Sequence, residues 1–263
     1  MSNIRLRCAV SIAVLTIAGC GGGSGAGGNS NTQVNSPPLV TNASPGGIWR
    51  GASSASGLQV IGLIDEAGEF HFIQSDNVQY VGTAITSGSS VSANFEGFTQ
   101  VGTAFPDQTT HGTGTVSGSI QQRSSLTLNT QFKTDGGTAS TGTLNLTFDS
   151  LYNRTSSLAT IGGNYSSNGE TVTVDSNGNV FAQDPTSSCV TNGTVSIINA
   201  TYNAYKVQFS YANCTGQYSV LNGLQFSGMA ILDNTQSPEH AIVGATAISG
   251  STKYAVVLNM PRT

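Results

Sequence analysis

Charge is scarce in this 263-residue chain: Asp, Glu, Lys and Arg together make up 8% of it, against about 25% in an average globular domain. The few charges show no basic excess, with 9 Lys and Arg against 13 Asp and Glu. That balance argues against binding nucleic acid or anionic lipid through charge. No run approaches the ~18 unbroken apolar residues that a spanning helix needs, so none is expected. Helical periodicity is almost absent after residue 47, which leaves little room for a helical bundle or an alternating α/β fold. Cysteine occurs four times and histidine three times. His71, His111 and His240 fall in no metal-ligand spacing, so no metal and no cofactor are expected.

Catalytic motifs are missing too. No Gly-x-Ser-x-Gly elbow or Ser-x-x-Lys occurs, and GASSASG (51–57) has the wrong spacing. No glycine-rich phosphate cradle leads into a helix. DSNGN (175–179) imitates part of a calcium loop but lacks the later Glu. Asp65, Glu66 and Glu69 cluster, but at a hairpin turn, where carboxylates ordinarily serve the turn. The expectation is a protein that is not an enzyme. The alternative is a membrane-tethered hydrolase whose site the sequence does not display.

What is present begins at the N-terminus. Arg5 and Arg7 precede a short apolar stretch, Cys8–Ala18, too short to span a bilayer and fitting a secretory signal over residues 1–19. Ile17-Ala18-Gly19-Cys20 resembles a bacterial lipobox. The resemblance implies cleavage before Cys20, which becomes the lipidation site, with several acyl chains giving stable anchoring. Gly21, rather than Asp, follows the cysteine, and this implies the outer membrane. Cleavage removes Arg5 and Arg7, so 7 basic and 13 acidic residues remain, a net charge of −6. Residues 20–45 are rich in Gly, Ser and Asn and read as a flexible tether.

Short alternating runs follow, among them LQVIGLID (58–65), SLTLNTQF (125–132), GTLNLTFD (142–149) and YKVQFSY (205–211), separated by turn residues. This pattern predicts an all-β fold of antiparallel strands. The halves resemble each other: GGIWRG…VIGLIDEAGEFHFIQ from Gly46 parallels GGNYSS…TVTVDSNGNVFAQ from Gly162. Each half holds about eight strands, enough to close a small barrel and remove its edges. Two β-barrel-like units are therefore expected at 46–155 and 156–263, as separate barrels or joined in one sandwich. Strands 6 to 8 are placed near 113–121, 124–133 and 141–149 in the first unit. In the second they are placed near 223–232, 240–248 and 252–260.

Cys189 and Cys214 remain after processing, and export favours a disulfide between them. A hairpin register pairing Val195 with Gln208 would bring the two cysteines opposite each other. Tyr202, Tyr205, Tyr211 and Tyr218 crowd one region and either pack across strands or line a site.

Gly47-Ile48-Trp49-Arg50 resembles the Gly-x-Trp opening of calycin barrels, the lipocalin-like group. The resemblance implies an arginine near the last strand packed across the tryptophan. Arg154 holds that place in the first unit, with Trp49. Arg262 holds it in the second, where Tyr165 replaces Trp. The tandem layout and LYNRTSSLATIGGNY (151–165) also resemble uncharacterised bacterial lipoproteins. More loosely, they resemble the barrel-bearing surface lipoproteins related to transferrin-binding and factor-H-binding proteins. The expected partners are the membrane, through the lipid, and a protein, a glycan or an apolar small molecule.

Overall fold

Buried and exposed residues alternate along Ser90–Phe98 and Ser125–Leu128, the period-2 signature of strands with one face inside. The computed structural model describes residues 41–263, apart from Asn168. Cys20, the signal at 1–19 and the tether up to residue 40 lie outside the described residues. The fold is all-β, as expected.

The first sheet comprises β1 (Gly47–Ser53), β2 (Gln59–Ile64), β3 (Glu69–Gln74), β4 (Gln79–Thr83), β5 (Ile85–Ser87), β6 (Ser90–Phe98), β7 (His111–Gln121), β8 (Ser125–Thr134) and β9 (Ala139–Asp149). β1 pairs with both β2 and β9, and β4 pairs with β6, so eight strands close into a ring. The short β5 hangs from the side of β6. Closure satisfies every edge and is the reason the unit needs no covering helix.

The second sheet runs in simple order through β10 (Gly163–Ser167), β11 (Glu170–Val174), β12 (Asn179–Gln183), β13 (Val190–Ile197), β14 (Tyr205–Ala212), β15 (Gln225–Asp233), β16 (His240–Ser249) and β17 (Thr252–Pro261). Its first and last strands meet at one bridge, Tyr165 with Arg262, and at the Thr263 amide, which donates to the Asn164 carbonyl at 2.9 Å. This barrel is closed at one end only. A 3-10 turn (Ser150–Asn153) and α1 (Leu158–Ile161) connect the two sheets.

Both first hairpins turn on an aspartate. Asp65 Oδ1 accepts the amides of Ala67 and Glu69, each at 2.9 Å. Asp175 Oδ1 accepts those of Asn177 and Asn179, each at 2.8 Å. Gly68 (φ +91°) and Gly178 (φ +83°) supply the left-handed residue that each turn requires.

Two details differ from the expectation. Val195 faces Val207, not Gln208, so the β13–β14 register is shifted by one. The Cys189–Cys214 disulfide forms nonetheless. Both cysteines lie just beyond the paired strands, where Ser188 and Asn213 adopt positive φ and reset the backbone direction. The end of the predicted tether is also bound. The Ala43 amide donates to Gly88 O at 2.9 Å, and the Gly88 amide to Asn42 Oδ1 at 2.8 Å. The Trp49 indole N–H donates to Pro45 O at 3.1 Å. Residues 42–45 thus strap the lower end of the first barrel.

The barrels pack side by side. Ile48, Leu63, Leu151 and Tyr152 meet Ala204, Met229 and Ile231 in a shared apolar core. Polar bonds surround it: Arg50 reaches Asp149 at 2.6 Å and Asp233 at 2.9 Å, and Lys206 reaches Glu69 at 3.2 Å. The Ala255 amide on β17 donates to Thr99 O at 2.9 Å. Pairs of sequential barrels do not require such docking. Here Ile61 and Leu63 of β2 and Met229 and Ile231 of β15 put apolar side chains on the outer faces of their strands.

Candidate functional site: two unlike barrel interiors

The interior of the first barrel holds a cavity of about 300 Å³. Inward positions of the strands line it, chiefly Val60, Ile64, Phe70, Phe72, Val91 and Leu126. Ala55, Ser56, Ser140 and Thr141 also line it and are exposed, so they mark its mouth between the β1–β2 and β8–β9 ends. The opposite end is closed by Trp49, whose ring stands edge-on to Phe148 at 5.6 Å, and by the strap at 42–45.

An aromatic cluster walls the upper part. Tyr80 meets Phe95 at 5.5 Å and Phe132 at 5.6 Å, both edge-on, and Phe105 from the long 99–110 loop meets Phe132 at 5.3 Å. Gly97 and Gly112 lie under the Phe132 ring, where any β-carbon would approach it to 2.7 and 2.5 Å. The glycines of FEGF and HGTG are therefore packing surfaces for a ring.

Besides Ser56, Ser140 and Thr141 at the mouth, the polar groups in this cavity are uncharged and few: Ser53, Gln74, Thr130 and the Tyr80 hydroxyl. Burial pushes the Tyr80 phenol up to about 12, so at neutral pH it stays a hydrogen-bond donor, aimed at Gln74 Oε1 at 3.5 Å. Among the described residues no carboxylate, imidazole or ammonium lines this space. The arrangement can solvate a neutral, largely apolar molecule and offer it one or two hydrogen bonds. The volume is about twice that of the ~150 Å³ apolar cavity that accepts benzene.

The second interior is nearly full. Tyr165, Tyr205, Phe209, Phe226 and Met260 fill it, with Phe209 and Phe226 stacked at 5.3 Å. About 70 Å³ remains.

The residues singled out in the sequence are distributed as follows. Arg262 lies over Tyr165 with its guanidinium 5.1 Å from the ring centroid, and it donates to Gly162 O at 2.7 Å and Thr160 O at 2.6 Å. Arg154 does not lie on Trp49. The 3-10 turn at Ser150–Asn153 carries it toward the second barrel, where it donates to Leu232 O at 3.2 Å and Glu239 at 3.0 Å. The guanidinium of Arg123 instead lies over Phe148, the ring edge-on to Trp49: it is 5.8 Å from the Phe148 and Tyr152 rings and 4.9 Å from Tyr202. Arg123 sits at φ +54° in the β7–β8 turn, and nothing in its local sequence points to that position.

The three clustered carboxylates separate. Asp65 is buried and caps its turn, Glu66 binds Ser44 and Arg123, and Glu69 faces Lys206. His71, buried at the interface, accepts from the Gln79 amide at Nδ1 (2.6 Å). His111 meets Asp135 at 3.0 Å, and His240 meets Asn259 at 2.7 Å. The four tyrosines also part. Tyr202 stacks on Tyr152 at 4.6 Å, Tyr205 is buried, Tyr211 lines the second interior and Tyr218 is exposed.

No protein-family model matches the chain, and no curated protein matches its sequence.

Proposed function

We propose that this chain is a lipid-anchored protein of the bacterial outer membrane whose first barrel binds a small, neutral, largely apolar molecule. The observation that carries the reading is the uncharged cavity of about 300 Å³, closed below and open at its Ser56–Thr141 mouth. Pockets of this size with few convergent polar groups are typical of small-molecule sites. The lipobox-like Ile17-Ala18-Gly19-Cys20 supports the anchor and Gly21 the destination. A binding role is favoured over hydrolysis because none of Asp65, Glu69, His71 and His240 borders the cavity: Glu69 and His71 meet each other at 3.9 Å on the outer face, where Glu69 also faces Lys206, and His240 meets Asn259.

The cavity is tested with 2-naphthol, a neutral fluorophore sensitive to polarity, titrated into the full chain. Saturable 1:1 binding is expected, and Val116→Phe, which projects a ring into the cavity, should weaken it at least about tenfold. Binding that Val116→Phe leaves unchanged would place the probe elsewhere and overturn the reading. The anchor is tested separately by Cys20→Ser, which should leave the precursor unprocessed and unlipidated. Normal processing and membrane retention of that variant would refute lipidation.

A further inference from the structure

Glu170, half-buried at the start of β11, stands on the inner face of the half-open barrel. On β11 the residues at 170, 172 and 174 share the inner face, and Val172 and Val174 are buried in the core. Glu170 therefore joins the lining of the residual 70 Å³ cavity, which Ser167 and Tyr211 also border. Among the described residues it makes no ion pair and no side-chain hydrogen bond, and no Lys, Arg or His lines the space. Tyr211, on β14, stands edge-on to Phe209 at 5.6 Å and to Phe226 at 5.7 Å. Its hydroxyl likewise has no hydrogen-bond partner among the described residues. The seam between β10 and β17, unpaired beyond Tyr165, borders this cavity at Ser167 and Leu258.

A lone inward carboxylate beside electron-rich rings and without a cation attracts positive charge. The carboxylate supplies the counter-ion, the ring faces add cation–π attraction, and the apolar wall takes a short carbon stem. The room amounts to about two water volumes, which suits an ammonium head rather than a whole aromatic ligand. The geometry points to a second, separate binding site in this protein: a pocket in the β10–β17 barrel that takes the protonated head of a small aliphatic amine, with Glu170 as counter-ion.

The electrostatics agree. Burial, and then the Asp184 charge beyond β12, push the Glu170 carboxyl up to about 7. Burial, and then Glu170, raise the Tyr211 hydroxyl well above its ordinary range. An incoming ammonium relieves both penalties, because it replaces lost solvation and neutralises the repulsion between Glu170 and Asp184. The site is independent of the uncharged cavity in the first barrel, which has no group to hold a cation.

The experiment is calorimetric titration of the full chain with n-propylammonium chloride, with n-propanol as the neutral control. Saturable propylammonium binding is expected, strengthening from about pH 5 to pH 8 as Glu170 ionises. n-Propanol should bind at least about tenfold more weakly. Glu170→Gln should weaken propylammonium about tenfold while leaving 2-naphthol binding by the first barrel intact, which shows that the variant is folded. Three results would overturn the site: no saturable propylammonium binding, equal binding of propanol, or affinity unaffected by both pH and Glu170→Gln.

Discussion

Arg154 and Arg262 meet on one carboxylate: Glu239 accepts the first at 3.0 Å and the second at 3.1 Å. Each arginine follows the last strand of its sheet, so the ends of both sheets are tied to the β15–β16 loop. Arg154 also holds the Leu232 carbonyl, and Arg262 the carbonyls of Thr160 and Gly162.

Removing the shared acceptor should cost stability. Glu239→Gln leaves two half-buried guanidinium groups without their counter-charge, an expected loss of about 1–3 kcal/mol. Arg154→Met should cost less than Arg262→Met, because Arg262 carries two backbone carbonyls and the Tyr165 ring besides. Urea unfolding of the three variants checks the order; equal losses would mean the carboxylate alone matters.

The disulfide closes a loop with a sequence separation of 25. Replacing both cysteines by Ala should lower stability by roughly 3–4 kcal/mol through the greater freedom of the unfolded chain. Hydrogen exchange should localise the loosening to β13, β14 and the 213–224 segment. Uniform loosening of the first barrel would contradict that placement.

Met229 and Ile231 face the first barrel from β15. Met229→Lys places an ammonium group in that apolar contact and should uncouple the barrels, for a buried charge without a partner is costly. Calorimetry should then show two transitions where the wild type shows one. A single transition, merely shifted, would mean that the barrels unfold as one unit without this contact.

Glu170 makes the second barrel less stable as pH rises. Its folded-state carboxyl sits at about 7, above the ordinary 4.5. The stability tied to its neutral form is thus complete below about pH 4.5 and lost as pH rises through about 7. Glu69 has the opposite sign. The His71 contact first, and then Lys206, hold its carboxyl down to about 2, so its contribution is present above about 4.5 and lost as pH falls through about 2. Glu170→Gln should flatten the fall in melting temperature between about pH 5 and pH 7 and leave the acid limb unchanged. An unaltered profile above pH 5 would show that Glu170 is solvated.

Much of this was legible in single strands. Predicted strands at 113–121, 124–133 and 141–149 correspond to β7, β8 and β9, and 223–232, 240–248 and 252–260 to β15, β16 and β17. One further signal was present. VIGLI (60–64) and MAIL (229–232) are unbroken apolar runs, as expected of strands buried on both faces. Ile61, Leu63, Met229 and Ile231 are their outward halves, and they build the contact between the barrels.

Strand alternation, turn chemistry and the repeat are set by neighbours within a few residues, so the sequence alone determined them. It also determined that Glu170 shares the face of Val172 and Val174. Tertiary structure decided the rest: which barrel closes fully, which interior stays open, and which arginine covers which ring. Those outcomes depend on the summed register of eight strands and on side chains that meet from distant segments. Arg154 illustrates the limit, because one 3-10 turn redirected it from Trp49 to Glu239. The cavity illustrates it too: similar strand patterns leave about 300 Å³ in one barrel and 70 Å³ in the other. Rings line both interiors, so the difference is set by how side chains from all eight strands meet across a space that no single strand defines.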